Sequence, residues 1–273
     1  MSAATPMPPI SSRQHPLVKQ FRALARGDQT LLLLDGWHLL GEALDAGLHL
    51  DTVVVTGPAA GREPSVLARL GPDTRVVEVS PLVMDAISPV RSPAGVVASA
   101  RRPRLDTTAV LQAVSPLLVA AYGLQDPGNV GALMRSAAAA GATGVVLDAA
   151  SADPWGWKAL RASMGSAFHL PLARHDDLPA LLAGASAAGI ALVAAVPRGG
   201  TPMYDVDFTR PTALLIGGEG PGLPEEILDT VDTRVSIPME APVESLNAAV
   251  AAAVLLYEAR RQRTLRTLST LRT

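Results

Sequence analysis

The side chains able to do chemistry fall in three short segments. The first runs from Gly123 through Asp126-Pro127-Gly128-Asn129-Val130-Gly131 to Arg135-Ser136. Its Pro/Gly turn opens a helix, and Asn129 stands where an N-cap belongs. Arg135 follows two turns in, among Ala and Leu. A guanidinium there is costly to bury without a partner, so it either meets one or rides a solvated face. The second segment is Gly217-Gly218-Glu219-Gly220-Pro221-Gly222-Leu223, four glycines in six positions with Glu219 as the one charge. Glycine lets backbone approach a ligand closely and permits positive φ. The third is Ile237-Pro238-Met239 followed by Val243-Glu244-Ser245-Leu246-Asn247. A rigid Pro turn leads into the last helix, which Glu244 or Ser245 can cap. Asn247 in the first turn is poorly explained by helix propensity.

Together these segments offer an arginine, a carboxylate, two amides and a hydroxyl. No Ser–His pair, carboxylate dyad or metal-ligand cluster accompanies them. Such a set works by positioning and electrostatics, not by covalent catalysis. The familiar nucleotide loops are missing: neither Gly-x-Gly-x-x-Gly nor Gly-Lys-Ser/Thr occurs. That counts against a nicotinamide-dependent dehydrogenase. The five histidines show no i,i+4 pairing, and the chain has no cysteine. No metal is therefore expected, and thiolate nucleophiles, disulfides and iron–sulfur clusters are excluded.

Each segment follows an expected strand, at the edge where open α/β sheets bind ligands. In the second half, strands at 117–122, 144–147, 190–196, 213–216 and 234–237 alternate with helices at 130–140, 157–164, 225–228 and 247–263. Another short helix starts near Leu178 and stops at Gly189. This alternation implies a mostly parallel sheet covered on both faces. In the first half, helices at 15–26, 36–46, 66–70 and 81–87 alternate with strands at 31–34, 52–55 and 75–79 and an edge strand at 96–99. That is a small α/β unit. Arg101-Arg102-Pro103-Arg104 breaks the pattern and opens a linker containing a possible short helix at 108–113.

Apolar residues make up 48% of the 273 positions and charged residues 18%, enough to bury a substantial core. Lys+Arg is 23 and Asp+Glu 25, a net charge of −2 that argues against a non-specific, histone-like nucleic-acid binder. Positive charge is local: Arg13, Lys19 and Arg22 on the first helix; Arg101, Arg102 and Arg104 in the linker; Arg260, Arg261, Arg263 and Arg266 near the end. The uncharged stretch Leu178–Val196 is broken by Pro179, Gly184 and Gly189, so no membrane span is expected. The Ala/Pro/Ser-rich start shows no secretory or mitochondrial signal, and the expected location is cytoplasmic.

The three segments, in this order and spacing, resemble the three motifs of the SpoU (TrmH) family of RNA 2′-O-ribose methyltransferases. The likeness spans about Leu117 to Arg263. Ser163–Pro171 is similar to the stretch that commonly follows the first motif. Ser12…His15-Pro16-Leu17-Val18-Lys19 and Leu34-Asp35-Gly36 resemble, more loosely, the opening of the family's accessory substrate-binding domain. Two positions depart from the pattern: His15, where Asn is common, and Ala241-Pro242, where Gly is frequent.

The resemblance implies a fold that topology rules would not propose: an α/β, parallel-sheet, C-terminal methyltransferase domain of the SPOUT type closed by a deep trefoil knot, with a small N-terminal α/β substrate-binding domain. The implied division is a disordered start over 1–12, an RNA substrate-binding domain over 13–100, a linker over 101–115, the methyltransferase domain over 116–264 and a tail over 265–273. The implied cofactor is S-adenosyl-L-methionine, held near Gly217, Gly218, Gly220, Ile237 and Leu246. Arg135, Asn129, Glu219, Ser245 and Asn247 are the implied catalytic set. Arg13, Lys19, Arg22, Arg101, Arg102 and Arg104 are the candidates for RNA contact. A homodimer is implied, with the Ala/Val-rich start of the last helix as its surface. The expected substrate is ribosomal RNA, of the 23S class. The alternatives are a transfer-RNA ribose methyltransferase and an inactive RNA-binding protein of the same fold.

Overall fold

The computed structural model describes residues 8–111, 113 and 115–270. They form two compact units, one made of the chain up to Pro103 plus Trp155–Gly165, the other of Arg104–Pro154 plus the chain from Ser166. The backbone thus passes between the units three times.

The first unit contains α1 (Pro16–Ala25), β1 (Leu31–Asp35), α2 (Trp37–Asp45), β2 (Leu50–Val55), the single turns α3 (Gly57–Ala60) and α4 (Pro64–Leu67), β3 (Arg75–Glu78), α5 (Pro81–Ile87) and β4 (Val96–Arg101). The sheet order is β1-β4-β2-β3, with β4 antiparallel to both neighbours. The expected edge strand is therefore interior. Val96 to Ala100 are all buried, and small and β-branched side chains with no polar face suit a strand covered on both sides. Leu17, Val18, Phe21 and Leu24 of α1 meet Val83, Met84 and Ile87 of α5 over this sheet. His15 Nδ1 accepts the Leu17 amide at 3.2 Å, so the residue that replaces the common Asn still caps the helix. The start expected to be disordered is partly structured: Ile10 bridges to Val79. Residues 1–7 lie outside the described ones.

The second unit contains α6 (Thr107–Leu111), β5 (Leu117–Tyr122), α7 (Pro127–Ala140), β6 (Gly144–Asp148), β7 (Leu172–His175), α9 (Leu178–Ala187), β8 (Ala191–Ala195), β9 (Thr201–Pro202), β10 (Thr212–Gly217), α10 (Glu225–Leu228), β11 (Thr233–Ser236) and α11 (Ala248–Thr270). Between β6 and β7 the chain leaves to form α8 (Trp157–Ser163). This helix rests on β1 of the first unit, where Trp157 Nε1 donates to the Ala25 carbonyl at 3.1 Å. The sheet order is β7-β6-β5-β10-β8-β11-β9, parallel at every pairing. Leu118 and Ala120 face Leu181, Leu182 and Ile227, while the alternate residues Leu117, Val119 and Ala121 are equally buried. The sheet is thus covered on both faces. Helices α7 and α11 lie against one another. The stretch expected as a linker belongs to this unit from Arg104 onward: Val110 is fully buried in its core. Residues 112 and 114 of that stretch, and 271–273 of the expected tail, lie outside the described ones. Among the described residues no helix is long and apolar enough to cross a membrane.

The C-terminal arginine cluster is engaged by the protein itself. Half-buried Arg263 donates to the carbonyls of Phe208 (2.8 Å), Ser115 (2.9 Å), Pro116 (3.0 Å) and Arg210 (2.6 Å). Burial, with some repulsion from Arg266, lowers its pKa from the ordinary guanidinium value. Arg260 holds the Ala139 carbonyl at 2.8 Å, Arg261 pairs with Glu258 at 2.7 Å, and Arg266 reaches the Thr209 carbonyl at 3.1 Å. Arg263 and Arg266 tie the loops at 115–116 and 208–210 to the end of α11, Arg260 ties that helix to α7, and Arg261 pairs within it. Arg263→Ala should destabilise the protein by about 2 kcal/mol, the scale for losing charged hydrogen bonds to partly buried carbonyls. Urea denaturation checks this, and a loss below about 0.5 kcal/mol would make the contacts incidental.

Candidate active site

Strand β5 leaves the sheet through Gly123, whose φ of +65° favours a residue without a Cβ. Asp126, not Asn129, then caps α7: its Oδ1 accepts the Asn129 amide at 2.9 Å, and Pro127 occupies the first turn. Asn129 is therefore inside the helix, with its side chain free for other work. Its Nδ2 donates to Glu219 Oε1. Its Oδ1 accepts from Asn247 Nδ2 at 3.0 Å. Asn247 is the true cap of α11, because its Oδ1 accepts the amides of Ala249 (3.0 Å) and Val250 (3.3 Å). This explains the residue that helix propensity left unexplained, and it replaces Glu244 and Ser245 as the expected cap. The network also fixes both amide orientations. The Asn247 oxygen is held by helix amides, so its nitrogen must donate; the Asn129 oxygen receives that donation, so its nitrogen must donate to the carboxylate.

The glycine segment closes against the same turn. The Gly218 amide donates to the Tyr122 carbonyl at 2.7 Å, and Gly218 bridges to Gly222. A Cβ on Gly218 would overlap the Gly123 carbonyl, and one on Gly217 would overlap the backbone of Gly222 and Leu223. These two glycines are demanded by the approach of chain to chain, where the sequence pattern pointed to ligand space. Gly220 (φ +97°) and Gly222 (φ +69°) are demanded by backbone conformation.

A cavity of about 480 Å³ lies between these loops, within the range of small-molecule sites. Gly217 to Leu223 form one wall; Ile237, Met239 and Leu246 form another; Glu219, Ser245 and Asn247 supply its polar side. Of the expected site residues, Gly217, Gly218, Gly220, Ile237, Leu246, Glu219, Ser245 and Asn247 therefore share one cavity, and Asn129 joins them through hydrogen bonds. The end of β8, Ala195 to Pro197, also lines it. That stretch belongs to none of the three motifs, although the strand-end rule applies to it equally. Apolar walls, side-chain-free backbone and one carboxylate suit a nucleoside-sized ligand carrying a cationic centre.

Arg135 stands apart. It is exposed on α7 and makes no hydrogen bond or ion pair among the described residues. Six residues beyond Asn129, at about 100° per residue, it faces another side of the helix. Of the residues expected to meet RNA, Arg13 and Arg22 hang by their Nε atoms from the Leu82 (3.4 Å) and Ala86 (2.8 Å) carbonyls of α5. Lys19, Arg101 and Arg104 are exposed, and Arg102 is half-buried.

The glycine geometry gives a ranked prediction. Gly218→Ala should cost about 1–3 kcal/mol, because the Gly123 turn must move. Gly184→Ala, in the open interior of α9, should be neutral or stabilise by up to about 1 kcal/mol. Thermal or denaturant unfolding of the two variants checks the order, and the reverse order would contradict the close approach.

Comparison with known proteins agrees with this geometry. Residues 116–257 match the model of the SpoU rRNA Methylase family, and residues 15–98 match an MRM3-like substrate binding domain. The chain is 38% identical over 258 residues to an uncharacterized tRNA/rRNA methyltransferase of Synechocystis, covering 93% of each. It is 31% identical over 258 residues to the 23S rRNA (guanosine(2553)-2′-O)-methyltransferase RlmP of Bacillus subtilis, covering 93% of this chain and 100% of that one. The crystal structure of the SpoU methyltransferase AviRb from Streptomyces viridochromogenes, in complex with AdoMet, superposes with a TM-score of 0.81 at 32% identity, covering 92% of this chain and 99% of that chain. With two strand-end motifs lining one cavity, the first joined to them through Asn129, and both domains matched, the chain belongs to the SpoU rRNA methylase family.

Proposed function

We propose that this protein transfers a methyl group from S-adenosylmethionine to a ribose 2′-hydroxyl in structured RNA, with 23S ribosomal RNA as its substrate class. The observation that carries the reading is the chain Glu219–Asn129–Asn247, which joins all three motifs at the wall of a nucleoside-sized cavity. The similarity to RlmP and the substrate-binding domain at 15–98 favour ribosomal over transfer RNA.

When bound, the cofactor supplies a methyl group on a positively charged sulfonium. The backbone of Gly217, Gly218 and Gly220, with Ile237 and Leu246, holds it. Glu219 spends one carboxylate oxygen on Asn129 and keeps the other free of hydrogen bonds among the described residues, an acceptor at the edge of the cavity. Asn129 and Asn247 fix where that carboxylate points. Ser245, exposed at the same wall, can hydrogen-bond the ribose. Arg135 brings a planar cationic guanidinium with a fork of donors. It stabilises the alkoxide that forms as the 2′-hydroxyl gives its proton to solvent water and its oxygen takes the methyl group, and it clamps the adjacent phosphate. Its five donors are all available for this.

The same reading includes a homodimer working in the cytoplasm. Val250 and Tyr257 are exposed on α11, seven residues apart, with Ala253 and Val254 half-buried between them. That stripe suits a second copy of the helix. The knot belongs to the reading too: the segment after β11 returns to line the cavity formed by the loop after β10. Arg13, Lys19, Arg22, Arg101, Arg102 and Arg104 supply positive charge for the RNA backbone.

The test is transfer of labelled methyl from S-adenosylmethionine to RNA from cells lacking the gene, separated into small and ribosomal fractions. Label in the large ribosomal RNA is expected. Label in the small fraction would move the substrate to transfer RNA, and none in either fraction would favour the inactive RNA-binding protein. In the active assay Arg135→Ala should lower turnover by about 100-fold or more and leave cofactor affinity within a few-fold. Near-normal turnover would remove Arg135 from the mechanism.

A further inference from the structure

A buried carboxylate that no motif contains holds the turn against which the glycine loop closes. Asp148 ends β6 and is 6% exposed. Its Oδ1 accepts three hydrogen bonds: from the Gly123 amide (3.0 Å), the Ser151 amide (2.9 Å) and the Ser151 hydroxyl (2.5 Å). Ser151, also buried, passes the contact on, its Oγ accepting the Leu124 amide at 3.0 Å. The Ala152 amide returns to the Leu124 carbonyl at 2.9 Å. Arg174 on β7 braces the loop from outside through the Ser151 carbonyl at 3.0 Å. The two consecutive amides of the turn after β5, Gly123 and Leu124, are thus both held by this pair. That turn is the surface on which Gly218 rests, with its amide on Tyr122 and no room for a side chain beside the Gly123 carbonyl.

We propose that Asp148, with Ser151, is a positioning residue for the cofactor site: it sets the Gly123–Leu124 turn and thereby the place of the Gly217–Gly222 wall. It touches neither substrate nor cofactor and acts through the turn. The effect falls on cofactor binding more than on turnover, because α7 and its Asn129 have independent anchors in the Asp126 cap and in α11. The negative charge is not what matters. Asp148 Oδ2 takes no hydrogen bond among the described residues, so an amide oxygen in the place of Oδ1 can accept the same three donors. Removing the acceptor leaves two backbone amides without a partner in a buried place, which shifts the turn.

The proposal rests on the methyltransferase reading, and the experiment separates the two. Cofactor affinity is measured by calorimetry with S-adenosylmethionine alone on the full chain, and KM for the cofactor and kcat in the RNA assay. Asp148→Ala should raise the Kd and KM for S-adenosylmethionine about tenfold or more while kcat at saturating cofactor stays within about threefold. Ser151→Ala should move the same constants in the same direction by less, and Asp148→Asn should restore them to within about threefold of the parent. A merely structural role would lower the folded fraction, and so kcat, without moving Kd or KM. The proposal is overturned by an unchanged Kd in Asp148→Ala, or by Asp148→Asn as impaired as Asp148→Ala. Should Asp148→Ala not fold, Ser151→Ala and Asp148→Asn decide alone: an unchanged Kd in the first or a tenfold loss in the second overturns it. If the parent protein binds S-adenosylmethionine but methylates no RNA, the functional reading fails and the calorimetric comparison still decides the role of Asp148.

Discussion

The site depends on one contact between two neighbouring parallel strands. Where β5 and β10 leave the sheet side by side, the Gly218 amide closes on the Tyr122 carbonyl, and Gly218 lies where any Cβ would overlap the Gly123 carbonyl. Backbone at this separation admits only glycine at 218, whereas a Cβ on Gly123 would meet open space. The turn after β5 must also carry positive φ at Gly123, and the loop after β10 must reverse through Gly220 and Gly222. The wall that results is made of peptide groups. It can present donors, acceptors and a flat face to a ligand without side chains filling the space, which is what a largely backbone-read cofactor needs.

Electrostatics then organises what the backbone brings near. Asn247 caps α11, so the positive end of that helix and its first amides orient the Asn247 side chain. Asn129 relays that orientation to Glu219, and the carboxylate comes to rest near the N-terminal turns of two helices, where negative charge is favoured. Two neutral amides therefore connect a helix end to an anion. Their polarity is set by the helix and not by the ligand, so the polar edge of the cavity is preorganised. Arg135 is left out of this network and exposed, so its donors are not taken up by a closed ion pair among the described residues.

Much of this was legible in the sequence, and the failures have specific physical sources. The glycine stops at Gly141 and Gly189 and the strand–loop–helix alternation of the second half are local signals, and they place the three motifs at strand ends. The cap of α7 is Asp126 and not the expected Asn129, and the local sequence carries the reason: in Asp126-Pro127-Gly128-Asn129 a proline favours the first helical position, which makes its predecessor the cap. The cap of α11 required knowing that Asn247 faces Asn129, a contact across 118 positions. The interior place of β4 depends on non-local pairing with β1 and β2, and periodicity carries no pairing partner. Nor can a local pattern tell which core receives α8, which lies in sequence between β6 and β7 yet packs in the other unit. The internal engagement of Arg263 is illegible locally because its acceptors, at 115, 116, 208 and 210, are remote in sequence.

The most direct test of the account is a crystal structure of the protein with S-adenosylmethionine bound. The account predicts the cofactor between the Gly217–Gly222 wall and the Ile237–Leu246 segment, with Asn129 bonded to Glu219 on one side and to Asn247 on the other. A cofactor bound elsewhere, or an Asn129 side chain turned away from both partners while the cavity is filled, would contradict it.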